Sequence, residues 1–152
     1  MAYYQINLRN MIETLGEEET KNILSSYLCP QNADIEYFLK EKAIEFTKQG
    51  IAATHLVFTK IKEEPVLVGY FALTSKSIDI SKRLLSNAYR KRIKRFGTEH
   101  ASGYRIPTLL IAQLGKNFAN GYNKLITGDE LLTIALEKVK HIQKDIGGKL
   151  VF

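Results

Sequence analysis

The stretch that decides the fold is RIPTLLIAQLGKNFANGYNKLITGDELLTIALEKVKHIQKDIGGKLVF, residues 105–152. Its apolar beginning predicts a strand from Arg105 to Leu114, and apolar residues at helical spacing predict a helix over 128–146. The buried stripe predicted for this helix consists of Leu131, Leu132, Ile134, Ala135, Val139 and Ile142. Lys149 to Phe152 begins another strand. A strand–helix–strand unit of this kind normally forms a right-handed crossover between parallel strands.

The sequence upstream adds helices and an antiparallel hairpin. Helices are predicted over Glu17–Leu28 and, from an apolar face at helical spacing, over Asp34–Lys48. Two apolar runs, Thr54–Ile61 and Val66–Leu73, are separated by a turn and predict a hairpin. The expected fold class is therefore α/β (α+β), a mixed and mostly antiparallel sheet between helices in three αβα layers, formed by a single domain over residues 1–152.

Composition narrows the class of protein. The chain has 152 residues, 45% of them hydrophobic and 25% charged, which is ordinary for a globular domain. No apolar run approaches the roughly 20 residues that a membrane-spanning helix needs. The lone cysteine, Cys29, cannot form an internal disulfide and indicates a reducing cytoplasm. The net charge of +6 favours anionic partners such as nucleotide cofactors, nucleic acid or acidic proteins.

The connection between the predicted strand and helix of residues 105–146 is the candidate anion site. Amides at a helix N-terminus point outward and favour anions, and Gly128 allows a phosphate to approach the backbone closely. Lys116 and Lys124 add positive charge. The alternative is an ordinary strand–helix connection whose helix opens with Gly-Asp-Glu. The sequence contains neither a Walker lysine motif nor GxGxxG, and we assign no metal site.

Three stretches in this order resemble one family. They are Asp34–Ala43 followed by Gly50–Val57, then Val68-Gly-Tyr-Phe-Ala-Leu73, then Ile106-Pro-Thr-Leu-Leu-Ile-Ala-Gln-Leu114. The chain resembles the GNAT acyltransferases, and more closely the branch that contains the acetyltransferases of toxin–antitoxin pairs. The resemblance implies an N-acyltransferase that moves an acetyl group from acetyl-CoA to an amine acceptor.

The resemblance also implies where acetyl-CoA binds. In GNAT enzymes the end of the fourth strand bonds the pantetheine arm, which corresponds here to Leu114, Gly115 and Lys116. The family's Gln/Arg-x-x-Gly-x-Gly/Ala loop is matched in part by Asn123–Gly128, with Asn123 in place of Gln or Arg. Pyrophosphate is then expected at the backbone amides of Leu125, Ile126, Thr127, Gly128 and Asp129.

Catalytic residues are not assigned. The family's chemistry is direct attack of an amine on the thioester, and a tyrosine beyond the fifth strand commonly protonates the CoA thiolate. No residue of this sequence matches that tyrosine, because Phe152 falls within the fifth strand. We therefore expect little activity from the chain alone, with Tyr122 as the alternative acid.

We also expect the open sheet edge to be closed by a two-fold homodimer or a partner. The histidines His55, His100 and His141 are isolated.

A basic segment, predicted as a helix over Ser81–Phe96, has two interpretations. It is either a solvated helix face or a surface at Arg90–Arg95 that faces RNA or an acidic partner. Toxin-branch enzymes act on aminoacyl-tRNA, which agrees with the second. Three function classes stay open: an acetyltransferase, a GNAT-fold interaction module without catalysis, and a basic nucleic-acid-binding protein.

Overall fold

The computed structural model describes residues 1–148 and 150–151. The strands are β1 (Tyr4–Asn7), β2 (Ala53–Ile61), β3 (Glu64–Ser81), β4 (Thr98–His100), β5 (Gly103–Lys116) and β6 (Leu150–Val151). The helices are α1 (Leu8–Leu15), α2 (Glu17–Ser25), α3 (Ala33–Tyr37), α4 (Ala43–Gln49), α5 (Asn87–Ile93) and α6 (Gly128–Ile146). A π-helical turn, Phe38–Lys42, joins α3 to α4, and a 3₁₀ segment, Ala119–Leu125, lies between β5 and α6.

The strands form one mixed sheet in the order β1-β2-β3-β5-β4. β1 with β2, β2 with β3, and β4 with β5 pair antiparallel, whereas β6 pairs parallel with β5 at Thr108 and Leu109. The predicted fold class, a mostly antiparallel sheet flanked by helices, is confirmed. The β5–α6–β6 unit has the parallel strand pairing predicted for it.

The chain divides into two compact units. The first contains Met1–Thr74 and Ile111–Leu136, and the second contains Ser75–Leu110 and Glu137–Phe152. In the first unit, apolar residues of α1, α2, α3, α4 and the π-helical turn pack with Leu56, Phe58 and Tyr70 of β2 and β3 in one core cluster. Gly69 faces α6 instead, since a Cβ there would lie 3.1 Å from Leu131 Cδ2. Strand residues alternate between the faces of a sheet, so helices cover both faces of this unit.

Several predicted element bounds are corrected by the structure. The helix predicted over Glu17–Leu28 ends at Ser25, the Asp34–Lys48 helix is interrupted by the π-helical turn, and the strand Val66–Leu73 extends over Glu64–Ser81. β1 and α1 had no prediction. The strand predicted over Lys149–Phe152 is observed at Leu150–Val151, with Lys149 and Phe152 outside the described residues.

The helix predicted over Ser81–Phe96 is wrong. A 3₁₀ turn over Lys82–Leu84 is followed by extended backbone, and the Ser86 hydroxyl then accepts the Tyr89 amide and starts the short helix α5. Leu84 is 82% exposed. Without a core to pack against, an amphipathic pattern does not hold a long helix together, and the local serine caps decide the bounds.

The stripe of α6 is narrower than predicted. Leu131, Ala135 and Val139, at spacings of four, are fully buried, whereas Leu132 is 39% exposed. Helix α6 therefore buries one row of side chains, and the bounds predicted from its periodicity, 128–146, are confirmed.

The turn between β2 and β3 is strained. Ile61 pairs with Glu64, which leaves Lys62 and Glu63 as a two-residue loop, with φ of 51° and 67°. Positive φ at both positions is the signature of a type I′ turn, which favours Asn-Gly because other side chains crowd the backbone in this region.

Replacing Lys62 by Asn and Glu63 by Gly is expected to raise the free energy of unfolding by about 1–2 kcal/mol, because the backbone strain is removed. Urea denaturation measures it. The control is Glu64→Gly in the neighbouring strand, which is expected to lower stability because glycine is unfavourable within a strand. Loss of stability in the turn variant would contradict this explanation.

Candidate functional site

The end of strand β5, Ile111–Lys116, has one free edge. The residue that follows this stretch, Asn117, donates its amide to the Val68 carbonyl of β3 at 2.8 Å. Among residues 1–148 and 150–151, no strand pairs with the opposite edge of Ile111–Lys116. An unpaired edge offers N–H and C=O groups to an extended ligand, and the amides of a pantetheine arm are suitable partners.

Gly115 permits a close approach of Tyr27, which follows α2, and of Ile35 in α3 to this strand. A Cβ at Gly115 would lie 2.5 Å from Ile35 Cγ2 and 2.6 Å from the Tyr27 hydroxyl oxygen. On the neighbouring strand, a Cβ at Gly69 would lie 2.9 Å from the Gly115 carbonyl oxygen. Side chains are therefore excluded at both glycines. The predicted pantetheine segment packs directly against Tyr27, Ile35 and the backbone of β3.

Lys116 lies at the end of this strand with its charge directed at the following loop. Its Nζ donates to the Asn123 carbonyl at 3.3 Å and lies 5.8 Å from the centre of the Phe118 ring. Leu114, two residues earlier, is partly buried. The structure thus brings together Lys116 and Asn123, two residues that sequence analysis had placed in different parts of the predicted site.

Asn117 joins three segments through its buried side chain and was missed in the sequence analysis. Its Nδ2 donates to the Leu67 carbonyl at 2.9 Å, and its Oδ1 accepts the amides of Leu28 at 3.1 Å and Ala119 at 3.0 Å. The following residue, Phe118, donates its amide to the Leu28 carbonyl at 2.8 Å. This network ends β5 and fixes the direction in which the chain enters the loop.

The start of α6 is closed by a capping box. The Glu130 amide donates to Thr127 Oγ1 at 3.0 Å, and the Thr127 amide donates to Glu130 Oε1 at 3.0 Å. That amide hydrogen bond is the main cause that lowers the pKa of Glu130. The Thr-x-x-Glu spacing of this motif is readable from sequence, and it takes the Thr127 amide away from the predicted phosphate donors.

Two amides of the first turn stay open. Within the described part of the chain, no group accepts a hydrogen bond from the amides of Gly128 or Asp129. A Cβ at Gly128 would meet no atom within 4 Å, so the space beside this backbone is open. Ile126 is 2% exposed, so its side chain is packed in the interior. The Leu125 carbonyl, one residue earlier, accepts a hydrogen bond from the Tyr3 hydroxyl at 2.6 Å.

No general base is evident from the histidines. His55 is buried and stacks on Phe71 with ring centres 5.1 Å apart, which indicates a packing role. In the second unit, His100 Nε2 lies 3.9 Å from Asp79 and His141 is exposed.

Over residues 1–148 and 150–151 there is no cluster of metal-ligating side chains, and none of the helices there is long and apolar enough to cross a membrane.

The basic segment of the second unit separates into structural and free cations. Lys82 and Lys94 pair with Glu99 at 2.7 and 3.6 Å, and the Arg90 guanidinium donates through Nε to the Lys82 carbonyl at 3.0 Å. Other cations here are exposed and, among the described residues, have no side-chain partner. They are Arg83, Lys91, Arg92 and Arg95.

Solved structures with the same fold include one described as a bacterial toxin, with a TM-score of 0.62 at 17% identity, covering 99% of this chain and 71% of that chain. A tyrosine-to-phenylalanine mutant of KacT matches with a TM-score of 0.68 at 14% identity, covering 99% of this chain and 76% of that chain. A tyrosine-to-phenylalanine mutant of the toxin AtaT matches with a TM-score of 0.58 at 17% identity, covering 84% of this chain and 64% of that chain.

The chain has the fold of these GNAT-type toxins. Its resemblance to the GNAT toxin branch is confirmed at the level of the fold, and the chain spans less than two thirds of the length of the mutant AtaT structure. AtaT is also matched in complex with acetyl-methionyl-tRNAfMet (TM-score 0.62, 14% identity, 99% of this chain and 76% of that chain). AtaTR is matched bound with AcCoA (TM-score 0.59, 13% identity, 98% and 72%). No protein-family model matches the sequence, and no curated protein matches it.

Replacing Asn117 by Ala is expected to lower the free energy of unfolding by about 2–4 kcal/mol, because buried backbone groups lose their hydrogen-bond partner. Chemical denaturation measures this. Asn123→Ala is the matched control, since that side chain makes no hydrogen bond within the described residues, and it should change stability by less than about 0.5 kcal/mol. Equal changes in the free energy of unfolding for the two variants would show that the hydrogen bonds of Asn117 make no specific contribution to stability.

Proposed function

We propose that the chain is an N-acetyltransferase domain that binds acetyl-CoA along Leu114–Lys116 and at the start of α6. The observation that carries the proposal is the arrangement in the first unit, where a free strand edge leads into a loop that ends at the open amides of Gly128 and Asp129. The structural neighbour AtaTR, bound with AcCoA, has the same fold and supports this choice of donor.

Each part of the proposed site supplies a different contact to CoA. The free edge of Ile111–Lys116 bonds the amides of the pantetheine arm. The amides of Gly128 and Asp129 donate to pyrophosphate oxygens, which the partial positive charge of the helix N-terminus also attracts. Thr127 contributes backbone position rather than a free donor, since its amide is bonded to Glu130.

The proposed reaction is acyl transfer by direct attack. The acceptor amine nitrogen forms a bond to the thioester carbonyl carbon, the carbon–sulfur bond breaks, and the CoA thiolate leaves with the electron pair. The amine loses a proton to a base or water, and the thiolate is protonated to give free CoA. The protein's part in this scheme is to bind and orient the donor.

The proposed acceptor is the amine of an aminoacyl-tRNA. The AtaT complex with acetyl-methionyl-tRNAfMet supports this class of acceptor by fold likeness. The free cations of α5 and its flanks support RNA binding independently, because arginine and lysine side chains without internal partners are available to phosphates. Self-association through the sheet edge stays a prediction.

A second candidate function is an RNA- or partner-binding module without catalysis. The same unpaired cations, Arg83, Lys91, Arg92 and Arg95, favour it, because their function needs no acetyl donor. Calorimetry with CoA and release of free thiol from acetyl-CoA separate the two. Binding without thiol release in the presence of aminoacyl-tRNA would favour the module.

Replacing Gly128 by Val is expected to weaken CoA binding by roughly tenfold or more, since the branched side chain fills the space that the phosphate needs. Isothermal calorimetry measures the Kd. The side chain meets no protein atom within 4 Å at its Cβ, so the fold should be retained. Thr133→Val, on the exposed side of the same helix, is the control and should bind CoA like the wild type. An unchanged Kd in the Gly128 variant would place the phosphate elsewhere.

Reversing Lys91, Arg92 and Arg95 to Glu is expected to weaken tRNA binding by more than tenfold and to reduce the slope of log K against log salt by about 2–3. Arg90 is left unchanged because its guanidinium holds the Lys82 carbonyl. The control reverses Lys21, Lys60 and Lys140, three exposed lysines at other places, with the same change of net charge. Equal losses in both variants would assign binding to net charge rather than to this surface.

A further inference from the structure

The hydroxyl of Tyr3 connects the first residues of the chain to the loop before α6. It donates to the Leu125 carbonyl at 2.6 Å, although the two residues are 122 positions apart in sequence. Leu125 is the last residue of the 3₁₀ segment and lies three residues before Gly128. The hydrogen bond therefore acts at the entrance of the backbone that presents the open amides.

Tyr3 is itself held on both sides by the sheet. The Ala2 carbonyl accepts the Thr59 hydroxyl at 2.7 Å, and Tyr4 pairs with Phe58 of β2, with their rings stacked 5.7 Å apart. The neighbours of Tyr3 are thus bound to β2, which lies inside the sheet between β1 and β3. The phenol is thus anchored next to an interior strand of the sheet.

The loop at the other end needs such support. Within the 3₁₀ segment, Asn120 and Gly121 have φ of 52° and 73°, so the helical backbone is broken at this point. Regular helical hydrogen bonds cannot span a break of this kind. The segment is fixed instead by Lys116 at the Asn123 carbonyl and by Tyr3 at the Leu125 carbonyl.

The protonation states suit a donating phenol. Burial, followed by the negative charge of Glu130, raises the pKa of Tyr3, whereas the hydrogen bond from the Thr127 amide is the main cause that lowers the pKa of Glu130. At neutral pH the hydroxyl therefore keeps its proton and the carboxylate stays charged. The phenol therefore lies beside two acceptors, the Leu125 carbonyl to which it donates and the Glu130 carboxylate of the capping box.

We propose that Tyr3 is a positioning residue for the cofactor loop, which holds Leu125–Asp129 in the conformation that receives the CoA pyrophosphate. The inference rests on the proposed function. The phenol acts through the Leu125 carbonyl rather than by touching CoA. A loop that is fixed before binding loses less conformational entropy when the ligand arrives, so the tether raises affinity.

The test replaces Tyr3 by Phe, which removes the hydroxyl and keeps the ring. Calorimetry should give a Kd for CoA that is about 3–10-fold higher than that of the wild type. Tyr4→Phe is the matched control, because it removes the hydroxyl of the adjacent tyrosine, which stacks on Phe58, and it should leave the Kd unchanged.

A second readout separates positioning from general stability. The thermal midpoint without ligand should stay within a few degrees of the wild type, whereas the rise in midpoint on adding CoA should be smaller, as a weaker Kd requires. Hydrogen exchange without ligand should become several-fold faster at the amides of 125–129 in Tyr3→Phe and unchanged in Tyr4→Phe.

The outcomes are distinguishable. If the wild type does not bind CoA, the proposed function is wrong, and so is the positioning role of Tyr3. A wild type that binds CoA, with the same Kd in Tyr3→Phe or the same loss in Tyr4→Phe, overturns the role of Tyr3 alone. A large fall in the ligand-free midpoint with an unchanged Kd would make the hydroxyl a structural contact only.

Discussion

The buried amide of Asn117 is the interaction on which the first unit depends. A primary amide carries donors and an acceptor, and burial is tolerated because Leu67, Leu28 and Ala119 satisfy them. The network fixes three separate segments at one point: strand β3, the turn after α2, and the loop that leaves β5. An apolar residue of similar size would fill the space but would leave these backbone groups unpaired, so the direction of the loop would no longer be specified.

The geometry around this point explains how a strand end can serve as a ligand site. Gly115 allows Tyr27 and Ile35 to pack directly against the strand, while the opposite edge stays unpaired within the described residues. At the start of α6, the capping box uses the amides of Thr127 and Glu130 and leaves the two amides between them, of Gly128 and Asp129, open. The helix N-terminus is thus stabilised by its own carboxylate, while two amides remain available to an anion.

Positive charge in the second unit has two different roles. Lys82 and Lys94 enclose Glu99, and the Arg105 guanidinium binds Asp79 with Nε at 2.9 Å from Oδ1 and Nη2 at 3.2 Å from Oδ2. These ion pairs are exposed to solvent and add little stability, but they occupy the participating cations within the unit. The density of lysine and arginine in the sequence does not distinguish paired cations from unpaired ones. The positions of Asp79 and Glu99 in the structure make that distinction.

The sequence by itself determined helix α6, the β2–β3 hairpin and strand β5. Each depends on residues within a few positions of one another, and local periodicity records such interactions directly. Tertiary structure decided what depends on distant partners: the length of β3, the shortness of α5, which no core supports, and the hydrogen bonds of Asn117 and Tyr3. The Tyr3 hydroxyl meets a carbonyl 122 positions away, and backbone carbonyls carry no side-chain signal in a sequence. Such contacts exist only after the sheet has brought the segments together.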